Sequence, residues 1–532
     1  MQPPRVRALD TPWPFAAPRS AAAWRARAGE LRLRVLASAG LRPMPARPRI
    51  RAQVAAGLER EGYRVESVWF ETGRGLHVAG NLYLPEGPGP VPAVLHPHGH
   101  WAEGRLADDT DGSSQAFCIH LARAGYVVFA WDMIGYNDTQ SLPHDWFDAE
   151  AARFGVTLLG LQLWNSIRAL DFVAADPRVD ASRIGIAGAS GGATQAILLG
   201  AVDDRVAASA LVCMVSSWMQ GGCICENAPG LRVGTSNVEL AAMLAPRPLL
   251  LVSCTGDWTE RTPHEEFPSI RAVYRLLGAE AIVANAHFDL PHNLLAESRE
   301  AAYAFFARHL EGRAIREETY SPEPVDALLC GAPEGQPCGD ALVARLCREA
   351  RRRARPDVEA LRLMLGLDTR RASLTGIPHR WVGEGSKVTL VVHDGRTSWR
   401  GTGRALIIDV FGVGEAHGAD RRVEYARLSA GFWERFSRWS GGRTPPPPRV
   451  EVRLDDYFDV YNLTDDALRV GDIVAALRWL KRREGRVGVH ARGRAAAWVR
   501  LALPFAPKPA RVDLRGGGDV DVPCVDLLFP QR

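Results

Sequence analysis

The sequence contains almost no lysine. Of its 65 basic residues only Lys387, Lys481 and Lys508 are lysines, and the formal net charge is +4 at pH 7. So small a net charge on 532 residues does not indicate the basic face that nucleic-acid binding requires. The dense arginine run at residues 351–355 lies on a predicted helix and is expected to be solvated. We interpret the arginine excess as compositional bias and expect no nucleic-acid partner.

Long apolar runs are also missing. No stretch approaches the roughly 18 apolar residues that span a bilayer. The N-terminal region has no apolar signal-peptide centre, because five charged residues interrupt residues 21–41. The nine cysteines are odd in number and scattered, so they define no disulfide framework. These absences predict a cytoplasmic protein with no membrane partner.

The remaining composition is that of a large globular chain. An apolar share of 46% with 24% charged residues is sufficient to bury sizeable cores, and the length suggests about two to four domains. Changes in composition along the chain predict four regions. They are an N-terminal helical arm (1–63), a first α/β domain (64–312), a Pro/Gly-punctuated linker (313–342) and a smaller α/β domain (343–532).

Strands alternate with helices in the first α/β domain. A hairpin is predicted over residues 65–85, and buried strands are predicted to begin at Pro92, Tyr126, Arg183, Ala207, Arg247 and Ala281. This alternation predicts a doubly wound, mostly parallel sheet led by an antiparallel hairpin. Such sheets place their chemistry at the carboxyl ends of the strands.

The most informative stretch is RIGIAGASGGATQAILLG, at residues 183–200. It is predicted to form a strand, a tight turn and a helix, with Ser190 at the apex of Gly188-x-Ser190-x-Gly192. Two glycines leave room for the strand and the helix to approach closely around a strained apex. The pattern therefore predicts a nucleophile elbow, with a structural Gly/Ser turn as the alternative.

A serine hydroxyl is a weak nucleophile and requires a base that is oriented by a carboxylate. In this arrangement the acid and then the base follow later strands. Asp257, in a turn just after a predicted strand, is the first candidate for the acid, and Glu226 is the second. His292, on the loop before the last helix, is the preferred base, and His287 is the alternative.

Two backbone N–H groups are expected to stabilise the oxyanion: those of Gly191, at the start of the helix, and His100, after an early strand. The alternation His96-x-His98-x-His100 also suggests a metal site. The intervening Pro and Gly, and the lack of an acidic ligand at matching spacing, favour a shaped loop instead. Cys223-x-Cys225 has no second pair at zinc-like spacing and is expected to be a pair of buried or loop thiols.

The second α/β domain repeats part of the first. RVGVHARGRAAAWVRLAL, from Arg486, again combines a glycine-bearing strand, a turn and a small-residue helix. Aligned without a gap, Gly493 stands opposite Ser190; with a one-residue gap Arg492 does. Neither can act as a serine-type nucleophile. We interpret this segment as a weak internal repeat, with an unrelated α/β segment as the alternative.

Residues 64–310 resemble the α/β-hydrolase superfamily, in its acetyl-xylan-esterase-like and dienelactone-hydrolase-like branch. The resemblance rests on His98-Gly99-His100-Trp101, Asp132-Met-Ile-Gly135, Gly188-Ala-Ser190-Gly-Gly192, Thr255-Gly-Asp257-Trp258-Thr and Pro291-His292-Asn293. It implies a catalytic domain that hydrolyses esters through an acyl-enzyme, with no metal or organic cofactor. The C-terminal half resembles the same fold but lacks the later strands, the acid and the histidine.

The leading hypothesis is therefore a serine carboxylesterase with Ser190, Asp257 and His292 as its triad. Its substrate would be a small-molecule acetyl or similar short acyl ester, and it would be insensitive to chelators. A peptidase or amidase could use the same triad, and a non-catalytic scaffold could keep the elbow as structure. The apolar runs of the second domain must be buried against the first domain or against another subunit, which leaves a homo-oligomer open.

Overall fold

A computed structural model describes residues 5–313, 315–331, 335–368, 370–394, 399, 401–413, 420–429 and 457–530. Its first eleven strands are β1 (Gln53–Arg60), β2 (Tyr63–Gly73), β3 (Leu76–Pro85), β4 (Val91–Pro97), β5 (Asp108–Asp109), β6 (Gly112–Ser113), β7 (Val127–Trp131), β8 (Val179–Ala189), β9 (Val206–Val212), β10 (Leu249–Gly256) and β11 (Val283–Pro291). The helices up to residue 309 are α1 (Ala21–Ser38), α2 (Ser114–Arg123), α3 (Ala149–Arg153), α4 (Leu158–Ala174), α5 (Gly191–Val202), α6 (Asn237–Ala242), α7 (Glu266–Leu276) and α8 (Ala296–His309).

Nine of these strands form one sheet in the order β1-β2-β3-β7-β4-β8-β9-β10-β11. Strands β1, β2, β3 and β7 pair antiparallel, whereas the pairs from β7 to β11 are parallel. The central strand β7 is buried along its whole length, as expected where helices cover both faces of a parallel sheet. The predicted mostly parallel α/β fold is confirmed, and the carboxyl ends of β4 and β8–β11 share one edge.

The predicted N-terminal arm differs from the structure at its end. Helix α1 is present, but residues 53–60 form β1, which extends the predicted hairpin by one strand. This edge strand is mostly exposed, so its sequence has no apolar alternation that would have indicated it. Helix α1 packs on both halves of the chain, since Leu31 and Val35 join the first core and Ala37 joins the second.

The rest of the chain forms a smaller sheet. Its strands are β12 (His379–Val382), β13 (Val388–His393), β14 (Arg404–Asp409), β15 (Val487–Arg492) and β16 (Arg511–Arg515). The remaining helices are α9 (Val325–Leu328), α10 (Gly339–Arg353), α11 (Val358–Met364), α12 (Arg421–Ser429), α13 (Phe458–Tyr461), α14 (Asp465–Glu484), α15 (Arg494–Ala502) and α16 (Val525–Leu528). In the described residues no helix is both long enough and apolar enough to cross a membrane.

The smaller sheet has the topology of the middle of the larger one. Its order is β12-β14-β13-β15-β16, with β12 antiparallel to β14 and the other pairs parallel. The segment β3-β7-β4-β8-β9 has the same order, the same strand directions and the same sequence of connections. Gly493 occupies the turn between β15 and α15 with φ 56° and ψ −138°, so the ungapped alignment places the correct residue opposite Ser190.

The two halves share a core. The first core includes fully buried residues from beyond position 340: Leu342, Leu346, Tyr425, Phe458, Tyr461 and Leu527. The segment predicted as a linker also packs against the first sheet, where Glu323 accepts hydrogen bonds from Tyr63 (2.6 Å) and Arg60 (2.6 Å) and is only 3% exposed. Residues 315–324, which form neither helix nor strand, thus pack against the first domain.

Candidate active site

Ser190 lies at the apex of the turn between β8 and α5, with φ 56° and ψ −126°. Its N–H donates to the carbonyl oxygen of Val212, at the end of the neighbouring strand β9 (3.0 Å). A Cβ added at Gly188 would lie 2.3 Å from the Gly192 carbonyl carbon, and one added at Gly192 would lie 2.2 Å from the Pro97 oxygen. Glycine is therefore required at both positions, and the strained apex is held by its surroundings.

Asp257 and His292 meet at the same edge of the sheet. Gly256 of β10 pairs with Pro291 of β11, which brings the residue after each strand to the same point. His292 Nδ1 lies 2.9 Å from Asp257 Oδ2. The other carboxylate oxygen, Oδ1, accepts hydrogen bonds from the backbone N–H (2.7 Å) and the hydroxyl of Thr259. With Asp257 1% exposed, the carboxylate is fixed to orient the imidazole.

Ser190 and this pair lie on either side of the end of β9. Cys213, the residue after β9, has its sulfur within 4.8 Å of the Asp257 carboxylate and the His292 ring. Among the hydrogen bonds of the described residues, none joins Ser190 Oγ to His292. Contacts of this kind are often long before a substrate binds. The three predicted triad residues thus share one end of neighbouring strands.

The two alternative candidates have other partners. Glu226 is buried, and its oxygens accept hydrogen bonds from the Thr194 hydroxyl (2.8 Å) and the Cys223 N–H (3.1 Å). His287 lies within β11, where its Nδ1 is 2.8 Å from Ser253 Oγ. Both side chains are thus held away from the pair that follows β10 and β11.

Gly191 and His100, whose N–H groups are the predicted oxyanion donors, lie against each other through the His100 ring. Gly191 begins α5, so its N–H is one of the groups that have no acceptor within the helix. A Cβ added at Gly191 would lie 2.3 Å from His100 Cε1, and one at Gly99 would lie 2.9 Å from the Ala189 carbonyl oxygen. The loop after β4 therefore lies directly against the turn that carries Ser190.

The other two histidines of that loop have structural partners. His96 Nδ1 lies 2.9 Å from the Ala187 carbonyl oxygen, and His98 Nδ1 lies 2.7 Å from that of Gly99. His98 Nε2 accepts a hydrogen bond from the Met133 N–H (3.0 Å). Burial lowers the pKa of His96 to about 4 and that of His98 well below its usual range. Both rings are thus neutral supports of the loop, and the three histidines do not converge on one centre.

Comparison with known proteins agrees with this architecture. The family model for acetyl xylan esterase (AXE1) matches residues 55–218. The chain is also similar to a Bacillus subtilis (strain 168) protein described as "Putative hydrolase YtaP", with 28% identity over 224 residues, which cover 38% of this chain and 74% of that protein. A solved structure, "Methylesterase BT1017", is 29% identical, covers 64% of this chain and 81% of its own, and superposes with a TM-score of 0.55.

The first sheet is that of an acetyl-xylan-esterase-like α/β-hydrolase. The matched segment runs from β1 through the Ser190 turn and past β9. It contains the proposed nucleophile and both predicted oxyanion donors. Asp257 and His292 lie beyond it, and their assignment rests on the geometry described above. The protein is thereby placed among ester-hydrolysing enzymes.

The loop after β7, next to this esterase-like site, is held by buried ion pairs. Its Asp132 lies 3.1 Å from Arg105, which also contacts Asp138 at 2.7 Å. Burial raises the pKa of Asp132 to about 6, against the opposing effect of Arg105. A Cβ at Gly135, which has a φ of 92°, would lie 2.4 Å from the backbone nitrogen of His144. The buried ion pairs and this close contact fix the path of the loop up to His144.

The esterase-like domain also contains a cluster that sequence reasoning missed. His100, His144, Cys223 and Cys225 place one ring nitrogen or sulfur each within 4.8 Å of one another. In the sequence, His100 and the cysteine pair belong to two separate motifs, and no motif indicates His144. The cluster draws on three loops far apart in the chain, so only the fold reveals it. The one available signal was the short spacing of the CxC and HxH motifs.

Proposed function

We propose that this protein is a serine hydrolase that cleaves an acetyl ester, or a similar short acyl ester, through an acyl-enzyme. The observation that carries the proposal is the pairing of His292 with the buried Asp257 carboxylate at 2.9 Å, at the same edge of the sheet as the Ser190 turn. Glu226 and His287 have other partners, which favours Asp257 and His292 as acid and base.

The proposed reaction has two halves. Ser190 Oγ attacks the ester carbonyl while His292 Nε2 accepts its proton, and the imidazolium then donates that proton to the leaving alcohol. A water molecule, activated by the same ring, hydrolyses the acyl-enzyme. Asp257 holds the imidazole in the required tautomer through Nδ1. The N–H groups of Gly191 and His100 stabilise the negative charge on the tetrahedral intermediate.

The match to the acetyl xylan esterase family model favours a short acyl group, because the matched residues 55–218 include Ser190 and both proposed oxyanion donors. A second candidate is a methyl ester, in which the small group is on the alcohol side, because the most informative solved relative is a methylesterase.

A substrate panel tests these assignments. Purified full-length protein would be assayed on acetylated sugars, longer acyl esters, methyl esters of carboxylic acids and peptides. We expect the highest kcat/KM on acetyl esters, with a decline as the acyl chain lengthens. A preference for methyl esters would assign the second candidate. Cleavage of peptides in preference to all esters would overturn the esterase proposal.

We also propose that the C-terminal half is a degenerate copy of the hydrolase fold without a second active site. Its five-strand order and the near-identical backbone of the Gly493 turn support this proposal. Glycine at the apex provides no nucleophile. The shared core favours a structural role for this half.

A further inference from the structure

The cluster of His100, His144, Cys223 and Cys225 combines the ligand types that bind zinc. Imidazole nitrogens and cysteine sulfurs are the usual ligands of structural Zn²⁺ sites, most often as four ligands in a tetrahedron. His100 follows β4, His144 lies in the loop after β7, and both cysteines lie in the loop between β9 and α6. Three separate loops therefore supply a complete Cys₂His₂ set.

The distances fit a single tetrahedral ion. With Zn–S near 2.3 Å and Zn–N near 2.0–2.1 Å, the ligand atoms of a tetrahedral site lie about 3.3–3.8 Å apart. Here the four atoms lie within 4.8 Å of one another, and His100 Nε2 is 3.1 Å from Cys225 Sγ. Side-chain adjustments of about 1 Å or less would close the site around an ion.

His144 is already in the state that a metal ligand requires. Its Nδ1 lies 2.6 Å from the Ile134 carbonyl oxygen, to which it donates. Such a hydrogen bond fixes the tautomer and leaves the other nitrogen as the free base. That other nitrogen, Nε2, is buried and has no hydrogen-bond partner among the residues that the structure describes. A buried acceptor without a partner is costly, and a bound cation would satisfy it.

The turn that carries the two cysteines is braced from outside the cluster. Cys223 N–H donates to Glu226 Oε2 (3.1 Å), and the other Glu226 oxygen accepts from Thr194 on α5 (2.8 Å). Arg232 Nη1 donates to the Glu226 carbonyl oxygen (2.8 Å). Outer contacts of this kind orient the ligands of a metal site. They also explain why Glu226, the second candidate for the catalytic acid, is buried here.

We propose that His100, His144, Cys223 and Cys225 bind one Zn²⁺ ion in a closed, structural site. Because four protein atoms complete the tetrahedron, no position is left for water or substrate. The ion would join three loops, one of which contains the proposed oxyanion donor, with the His100 ring against Gly191. This proposal replaces the expectation, drawn from the family resemblance, that chelators have no effect. It does not depend on Ser190 being the nucleophile.

Metal content tests the site directly. The full chain, produced without a histidine tag and purified under reducing conditions, is expected to retain about one zinc per chain in elemental analysis. The double variant Cys223→Ser/Cys225→Ser should retain less than about a tenth of that amount, and His144→Ala should bind more weakly. Cys338→Ser/Cys347→Ser and His264→Ala are matched controls outside the cluster. Both should retain the metal.

Cobalt provides a spectroscopic readout that packing of the four side chains without a metal would not produce. After zinc removal, Co²⁺ added to the reduced protein should give the visible absorption of tetrahedral cobalt and a thiolate charge-transfer band, both absent in Cys223→Ser/Cys225→Ser. Chelation should lower the Tm of the wild type but not of that variant. Circular dichroism would establish that each variant is folded before its metal content is compared.

Three results would overturn the proposal. One is a folded, reduced wild-type protein that takes up neither zinc nor cobalt. Another is equal zinc content in the wild type and in Cys223→Ser/Cys225→Ser, which would mean that the metal binds elsewhere. The third is a native Cys223–Cys225 disulfide whose reduction leads to no metal uptake, which would assign the pair a redox role.

Discussion

The two strand–turn–helix units around Ser190 and Gly493 share one backbone and differ in chemistry. Both apex residues have φ 56°, with ψ −126° at Ser190 and −138° at Gly493. In the first unit a serine accepts the strain of that conformation, whereas the second has the residue that adopts it most easily. The comparison indicates that the elbow belongs to the fold, and that the reaction depends on side chains added to it.

The surroundings of the two turns differ in the same way. Beyond the Ser190 turn the sheet continues to β10 and β11, which place Asp257 and His292 at the same edge of the sheet. In the described residues the smaller sheet ends at β16. A Cβ at Gly493 would lie 2.6 Å from Asp394 Oδ2, so a side chain there would displace the Asp394 carboxylate. The second turn therefore has no nucleophile at its apex.

The largest effect is expected from removing the second half. A chain that ends at residue 312 loses the buried partners contributed from beyond position 340, and the apolar surface that they cover becomes exposed. We expect this truncated protein to be recovered mainly as aggregate, as sedimentation would show. Co-expression of residues 313–532 should restore soluble protein. A truncated monomer with the solubility and Tm of the full chain would contradict the shared core.

Replacing the proposed base comes next. His292→Ala should lower kcat for an acetyl ester by at least about 10³-fold, because both proton transfers lose their carrier. His287→Ala is the matched control and should have a smaller effect, because the His287 ring is hydrogen-bonded to the Ser253 hydroxyl. Steady-state kinetics on both variants decide the assignment. The reverse ranking would move the base to His287.

Loss of the orienting carboxylate should cost less than loss of the base. Asp257→Asn should fold normally and lower kcat by about 10- to 100-fold less than His292→Ala does, because an amide can hold the wrong imidazole tautomer but leaves the base in place. Asp289→Asn is a control on strand β11, where the carboxylate accepts a hydrogen bond from the Thr255 hydroxyl, and should be close to wild type. Near-normal turnover in Asp257→Asn would indicate another acid.

The smallest effect separates backbone strain from chemistry at the two turns. In urea denaturation, the free energy of unfolding of Ser190→Gly should be about 1 kcal/mol higher than that of Ser190→Ala. Both variants lack the hydroxyl, but only alanine keeps a Cβ at positive φ. Gly493→Ala should be destabilised by about 1–3 kcal/mol. Equal stability of Gly493→Ala and the wild type would show that the two turns are not equivalent.

Much of the fold could be predicted because the central strands are buried and glycine marks the turns. The start of each predicted parallel strand from Pro92 to Ala281 lies within four residues of the observed one. The predicted helix that carries the arginine run at residues 351–355 is in fact interrupted there: α10 ends at Arg353 and α11 begins at Val358, because Pro356 lies between them. Contacts between distant segments, such as Tyr461 in the first core, leave no local pattern and could not be predicted.

The site shows the same division. Ser190, Asp257 and His292 were selected from the sequence because each follows a strand, and strand order alone predicts that they share an edge. The proximity of His144 to Cys223 could not be predicted in this way, because it depends on how two long loops fold over that edge. Periodicity fixes the elements, whereas loop packing depends on tertiary contacts.

Active-site labelling tests the central claim most directly. A fluorophosphonate probe, followed by peptide mapping of the full-length protein, should modify Ser190 alone, since a serine with an adjacent base is the activated nucleophile. Ser190→Ala should abolish both labelling and ester hydrolysis, while Gly493→Ser, which has no counterpart of the Asp257–His292 pair in the described residues, should gain no second label. Labelling that persists in Ser190→Ala, or a modified residue elsewhere in the chain, would contradict the assignment of the nucleophile.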